Sequence, residues 1–132
     1  MFSNIKTSKV NRERVTYLTN KLNLGAENVI ARLAFSYSIG NDRLLELGDM
    51  QDSGGKEYSS KVLFGDFTDY YVAMVCVSYQ IYKTDKDVAR YVKMHIDDGL
   101  EMISSDIEKK HGITGTDFMI NEIEKGLALL GG

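Results

Sequence analysis

The side chains best able to carry chemistry are scarce in this sequence. There are two histidines, His95 and His111, and one cysteine, Cys76, with no CxxC, HExxH or GxSxG spacing among them. Nucleophilic and zinc chemistry need convergent groups, and His95 with Asp98 three residues on offers two ligands with no third in view. No catalytic residue, metal site or cofactor is assigned, and a non-enzymatic role is expected. Cys76 stands between Val75 and Val77 and is read as a buried packing residue. The stretch SGGKEYSSK invites comparison with a phosphate loop, but Met50 stands where the first glycine of such a loop belongs and Glu57 where Ser or Thr belongs. Lys56 is therefore read on a surface turn, within reach of a phosphate.

The remaining chemistry is electrostatic. Residues 1–40 hold six basic side chains, Lys6, Lys9, Arg12, Arg14, Lys21 and Arg32, against Glu13 and Glu27, a surplus of four positive charges. The other 92 residues carry −7, giving −3 overall and a pI near 5.4. Such a balance excludes a protein coated in positive charge and leaves room for one basic face. Lys6, Lys9, Arg12, Arg14 and Lys21 are the candidate DNA-binding residues, with Lys56 and Lys61 as a second set; a solvated helix face is the competing reading. Arg32 is read as structural, paired with Glu27 or another acid. Tyr70, Tyr71, Tyr79 and Tyr82 share one segment, and at helical spacing they are read as core or subunit interface ahead of a base-stacking platform.

These residues need elements to position them. A short strand within residues 2–8 is followed by a helix over Lys9–Leu22, with Ser8 as N-cap, Val15, Leu18 and Leu22 on one stripe, and Asn23 to Gly25 as its stop. A second helix over Ala26–Tyr37 places Ile30, Leu33, Ala34 and Tyr37 together and closes at Gly40. Strand and helix pair resemble a ribbon-helix-helix element. Residues 40–61, rich in glycine, form a turn-rich connection. Beyond it, 62–132 reads as helical: one helix over Asp66–Lys83 with Phe67, Tyr70, Tyr71, Met74 and Ile81 as its stripe, one from a Thr84/Asp87 capping box to Gly112, and one after Thr116 with Met119, Ile123, Leu127 and Leu130 inward. Gly99, inside the second of these, predicts a close helix contact or a kink.

The result is one mainly α domain over residues 1–132, a size that builds a core without disulfides or metals. No apolar run reaches membrane length and no secretory pattern opens the chain, so no membrane partner is expected and the cytoplasm is the expected compartment.

Six ordered blocks carry a resemblance: TSK at Thr7–Lys9, NVIARLA at Asn28–Ala34, GGKEY at Gly54–Tyr58, LFGD at Leu63–Asp66, HIDDGL at His95–Leu100 and DFMINEIEKGL at Asp117–Leu127. Together they resemble the DndE family of DNA phosphorothioation. Asp98 departs from it, standing where the family's HIxRG pattern has a basic residue. The resemblance implies a helical fold, a homotetramer and binding of duplex DNA, preferably nicked, as an accessory subunit. Sulfur transfer would then belong to partner proteins of the phosphorothioation system, namely a cysteine desulfurase, an iron–sulfur protein and an ATPase. Two other readings compete: a ribbon-helix-helix regulator or antitoxin that reads bases with its strand, and a protein-interaction scaffold without DNA contact.

Overall fold

A computed structural model of the chain describes residues 2–109 and 114–131. The chain opens with strand β1 (Asn4–Lys6) and helix α1 (Lys9–Leu22). Ser8 caps α1 by accepting from the Asn11 N–H, and Asn23 ends it in the left-handed conformation that asparagine tolerates. Val15, Leu18 and Leu22 are buried as their spacing predicts, each worth about 1.5–3 kcal/mol. Helix α2 (Glu27–Gly40) buries Ile30, Ala31, Ala34, Phe35 and Tyr37. Strand, helix and helix therefore follow in the expected order. The ribbon itself is completed within the chain, because β1 pairs antiparallel with β2 (Glu57–Ser59), Lys6 opposite Glu57.

Residues 40–61 thus contribute a strand as well as turns, and they lead into the short helix α3 (Ser60–Phe64). Helix α4 (Thr68–Tyr79) is shorter than predicted and turns a different face inward. Val72 and Val75 are buried, whereas Phe67, Tyr70 and Met74 are exposed and Ile81 lies past the helix end. Gln80, at φ 54°, terminates the helix. Cys76 is partly buried against the core, correcting the fully buried position expected of it.

Helix α5 (Val88–Lys109) is the central element, burying Val88, Val92, Ile96, Leu100, Ile103 and Ile107. It begins after the expected Thr84: Asp85 accepts from the N–H of Asp87, and Val88 is the first helical residue. The predicted end at Gly112 lies outside the described residues. Gly99 meets α2 so closely that a Cβ there would stand 1.8 Å from the carbonyl oxygen of Ala34. Of the two expectations for Gly99, the close contact is the one observed.

The last helix, α6 (Gly115–Gly131), inserts Phe118 against the Tyr37 ring, centroids 5.7 Å apart. Met119 packs partly on the core, but Ile123, Leu127 and Leu130 are exposed, contrary to the inward stripe expected of them. Among the described residues no helix is long and apolar enough to cross a membrane.

Candidate nucleic-acid interface

The junction between β1 and α1 is held from two sides. Asp97 on α5 accepts from the Ser8 N–H at 3.0 Å and from Asn11 Nδ2 at 2.8 Å, and pairs with Lys93 Nζ at 2.6 Å. Lys93 also donates to the Asp52 carbonyl at 2.8 Å. Both members of this ion pair are buried, and each is satisfied by further hydrogen bonds, the condition under which a buried pair is tolerated. The glycine-rich connection wraps the other side: Gly55 N–H donates to the Thr7 carbonyl at 2.9 Å and Lys56 N–H to Thr7 Oγ1 at 2.9 Å. A Cβ at Gly55 would stand 2.2 Å from the Ser8 carbonyl oxygen, so only glycine permits the approach.

The N-terminus of α1 is consequently not an open anion site. Asp52 Oδ2 accepts from the Lys9 N–H at 2.9 Å and from the Gly54 N–H at 2.9 Å. The Lys9 amide first, and Gly54 next, hold this carboxyl below the usual carboxylate range. With the Lys9 and Asn11 amides occupied, this helix end offers an anion its side chains rather than an open cradle of amides.

The predicted basic residues do not converge on one point. At roughly 100° per residue, Lys9 and Arg12 fall on one flank of α1, Arg14 and Lys21 on the opposite one. Lys6, on β1, Lys9, Arg12 and Lys21 are exposed. Among the described residues none of these four is paired with a carboxylate. Arg14 is half-buried, donating to Asn11 Oδ1 at 3.0 Å and lying 3.5 Å from Glu101. Lys56 lies 3.4 Å from Glu27, and Lys61 is exposed on α3. Arg32 is structural as expected but through other partners: its Nε donates to the Leu63 carbonyl at 2.6 Å, not to an acid. Sequence reasoning passed over Arg90, which lines the same shallow cleft as Lys6 and Ser53 and pairs with Asp87 at 2.8 Å. It also passed over the buried Lys93–Asp97 pair, whose i,i+4 spacing was visible although its burial was not.

Two further candidates resolve into structure. His95 is fully buried, with Nε2 at 2.7 Å from the Tyr79 hydroxyl and Nδ1 at 2.8 Å from Ser38 Oγ. Ser38 donates on to Asp98, which Arg43 grips through two nitrogens, and the Leu45 N–H donates to the Tyr79 oxygen. Following donors along this chain makes Nδ1 the protonated nitrogen and Nε2 the acceptor. Neither nitrogen is available to a metal, and burial lowers the imidazole pKa to about 4. The departure at Asp98 is thus an inward carboxylate bound by Arg43. Of the tyrosines, Tyr71 stacks on Phe64 at 4.3 Å and Tyr79 on Tyr91 at 3.7 Å, while Tyr70 and Tyr82 are exposed.

Compared with known protein families, residues 4–111 match the model of DNA sulphur modification protein DndE. The chain belongs to the DndE family. Membership ties it to DNA sulphur modification. A solved DndE from Escherichia coli B7A, described as involved in DNA phosphorothioation modification, is 15% identical, with a TM-score of 0.64 over 78% of this chain and 98% of that one. A DndE mutant with two glycines changed to lysine, described as involved in DNA phosphorothioation, is 17% identical, with a TM-score of 0.65 over the same shares. These likenesses establish a shared DndE fold. No curated protein gave a significant match. The DndE match stops at residue 111, so the block DFMINEIEKGL, read at first as part of the resemblance, falls outside it together with α6.

Proposed function

We propose that this chain is a non-catalytic, DNA-binding subunit of a DNA phosphorothioation system, working as a homotetramer in the cytoplasm and favouring nicked duplex. The observation that carries the reading is the set of exposed cations without carboxylate partners among the described residues, Lys6, Lys9, Arg12 and Lys21, mounted on an element that Asp97 and the 52–56 loop brace. Side chains of this kind contact phosphates and position a duplex without reading its bases. Lys6 and Lys9 extend from the β1–α1 junction, Arg12 continues the same flank, and Lys21 and Arg14 supply the other. Lys56 and Lys61 form a second, peripheral set. Each protomer offers few contacts, so an assembly that presents several copies raises the total. A nick lowers the elastic cost of bending, letting more phosphates reach the protein. Sulfur transfer falls to partner proteins.

Gel shifts with intact, nicked and sequence-varied duplexes at two salt concentrations test this. Binding that is indifferent to sequence, weakened by salt and strongest for the nicked duplex is expected. A requirement for one operator sequence would favour the ribbon-helix-helix regulator, and no shift at any salt would favour the scaffold.

A further inference from the structure

Four aromatic side chains stand exposed among the described residues: Tyr17, Phe67, Tyr70 and Tyr82. The Phe67 and Tyr70 rings lie 6.0 Å apart in a stretch that holds Asp66 and Asp69, and Tyr82 opens a turn that holds Lys83 and Asp85. Tyr17 has a different setting. It is 50% exposed on α1, three residues after Arg14 and four before Lys21, so these three share one stripe of the helix. Arg14 is steadied by Asn11 and Glu101, and Lys21 has no carboxylate partner among the described residues. Glu13, the one acid of α1, stands four residues before Tyr17 on the side toward Lys9.

We infer that Tyr17 is the residue that tells a nicked duplex from an intact one, by stacking on the base-pair face that opens at the break. The inference rests on the DNA-binding reading above and names the side chain that sets its preference. At a nick one strand no longer ties neighbouring base pairs together, so the step opens at lower cost than in a continuous duplex. An opened step presents flat apolar faces, and an aromatic ring held beside them stacks whatever the base. The spacing on α1 suits this task. Arg14 and Lys21 are seven residues apart, about 10 Å along the helix, which spans roughly three base steps. Cations at the two ends can hold phosphates on either side of an opened step while the ring lies between them. A continuous duplex keeps the step closed and offers Tyr17 only backbone. Easier bending also favours a nick, but that advantage does not depend on any one ring.

Competition gel shifts of the full chain, with an intact duplex and the same duplex nicked once, test the inference. Tyr17→Ala, Tyr17→Phe, Tyr70→Ala and Lys21→Ala are compared with the wild type, and circular dichroism confirms each fold. Tyr17 lies outside the buried Val15–Leu18–Leu22 stripe, so Ala keeps α1 intact. Tyr17→Ala is expected to lower affinity for the nicked duplex about tenfold, which is about 1.4 kcal/mol and within what one base stack contributes. Affinity for the intact duplex and the salt slope stay as in the wild type. Tyr17→Phe, which keeps the ring, keeps the preference, and Tyr70→Ala changes neither affinity. Lys21→Ala weakens both duplexes and flattens the slope. A Tyr17→Ala protein that loses both affinities alike, or neither, overturns the inference and leaves DNA binding standing. So does a Tyr17→Phe protein without the preference, since that assigns the effect to the hydroxyl. A wild type that binds intact and nicked duplex equally overturns the inference together with the nick preference alone. A wild type that binds no DNA overturns the DNA-binding reading as well.

Discussion

The missing Cβ of Gly99 and the carbonyl oxygen of Ala34 occupy the same space: an added methyl would stand 1.8 Å from that oxygen and 2.9 Å from the Ala34 Cα. The neighbour is backbone, which cannot swing aside as a side chain can. Gly99→Ala gains about 1 kcal/mol of helix propensity and loses more, because α2 and α5 must separate. A net destabilisation of about 2–4 kcal/mol is expected, in the range of severe overpacking. Urea denaturation measures it, and a variant as stable as the wild type would show that the contact yields.

Replacing Lys6, Lys9 and Arg12 together by Ala should weaken binding to all duplexes alike and flatten its salt dependence. Each phosphate neutralised contributes roughly 0.9 to the slope of log affinity against log salt, so two protomers on one duplex lose up to about five units. Helix content should hold, since all three side chains are exposed. Unchanged affinity and slope would move the surface to Lys56 and Lys61.

Asp97→Asn should cost about 3–5 kcal/mol, since it leaves Lys93 buried without its counter-charge. The damage extends to the β1–α1 junction, because Asp97 also holds the Ser8 amide and Asn11. Faster hydrogen exchange at Ser8 is the expected signature. Replacing both partners, Lys93→Met with Asp97→Leu, should restore much of the stability and not the exchange protection. A single variant losing under about 1 kcal/mol would show the pair to be dispensable.

His95 links stability to pH. Its folded pKa, about 4, lies below the ordinary imidazole value of 6.5, so between these values the unfolded chain binds more protons than the native one. Stability is therefore complete above pH 6.5 and falls as pH drops toward 4, by roughly 3 kcal/mol for a shift of this size. Carboxylates titrate over part of the same window, so the wild type is compared with His95→Gln. The variant should be less stable at pH 7 and lose less between pH 6.5 and 4. Parallel curves for the two would show that His95 does not titrate as inferred.

The N-terminal half was legible where local chemistry decides structure. Ser8 as a cap, Val15–Leu18–Leu22 as a stripe and Asn23 as a stop each act within a few residues. Helix α4 was misread because Phe67, Tyr70, Val72, Met74, Val75 and Val77 surround it with apolar side chains, and periodicity cannot choose a face on such a helix. The α6 stripe was visible, but that its own chain leaves Ile123, Leu127 and Leu130 exposed is decided by tertiary packing. Of the candidate site, the charges could be read and their scaffold could not, since Asp52 and Asp97 reach Lys9 and Ser8 across 43 and 89 positions.

That separation governs when the surface comes into being. A chain still being synthesised, with only its first forty residues out, already displays Lys6, Lys9 and Arg12. It lacks Asp52 to hold Lys9, Gly55 to seat Thr7, and Asp97 to fasten Ser8. The scaffold under the proposed duplex-binding surface is thus completed late in translation, once α5 has emerged and closed back on the first turn of α1. Until then a ribosome-bound intermediate carries the charge with nothing to aim it, and a truncated product ending before Asp97 would be basic at its start without the bonds that hold Ser8 and Asn11 in the finished protein.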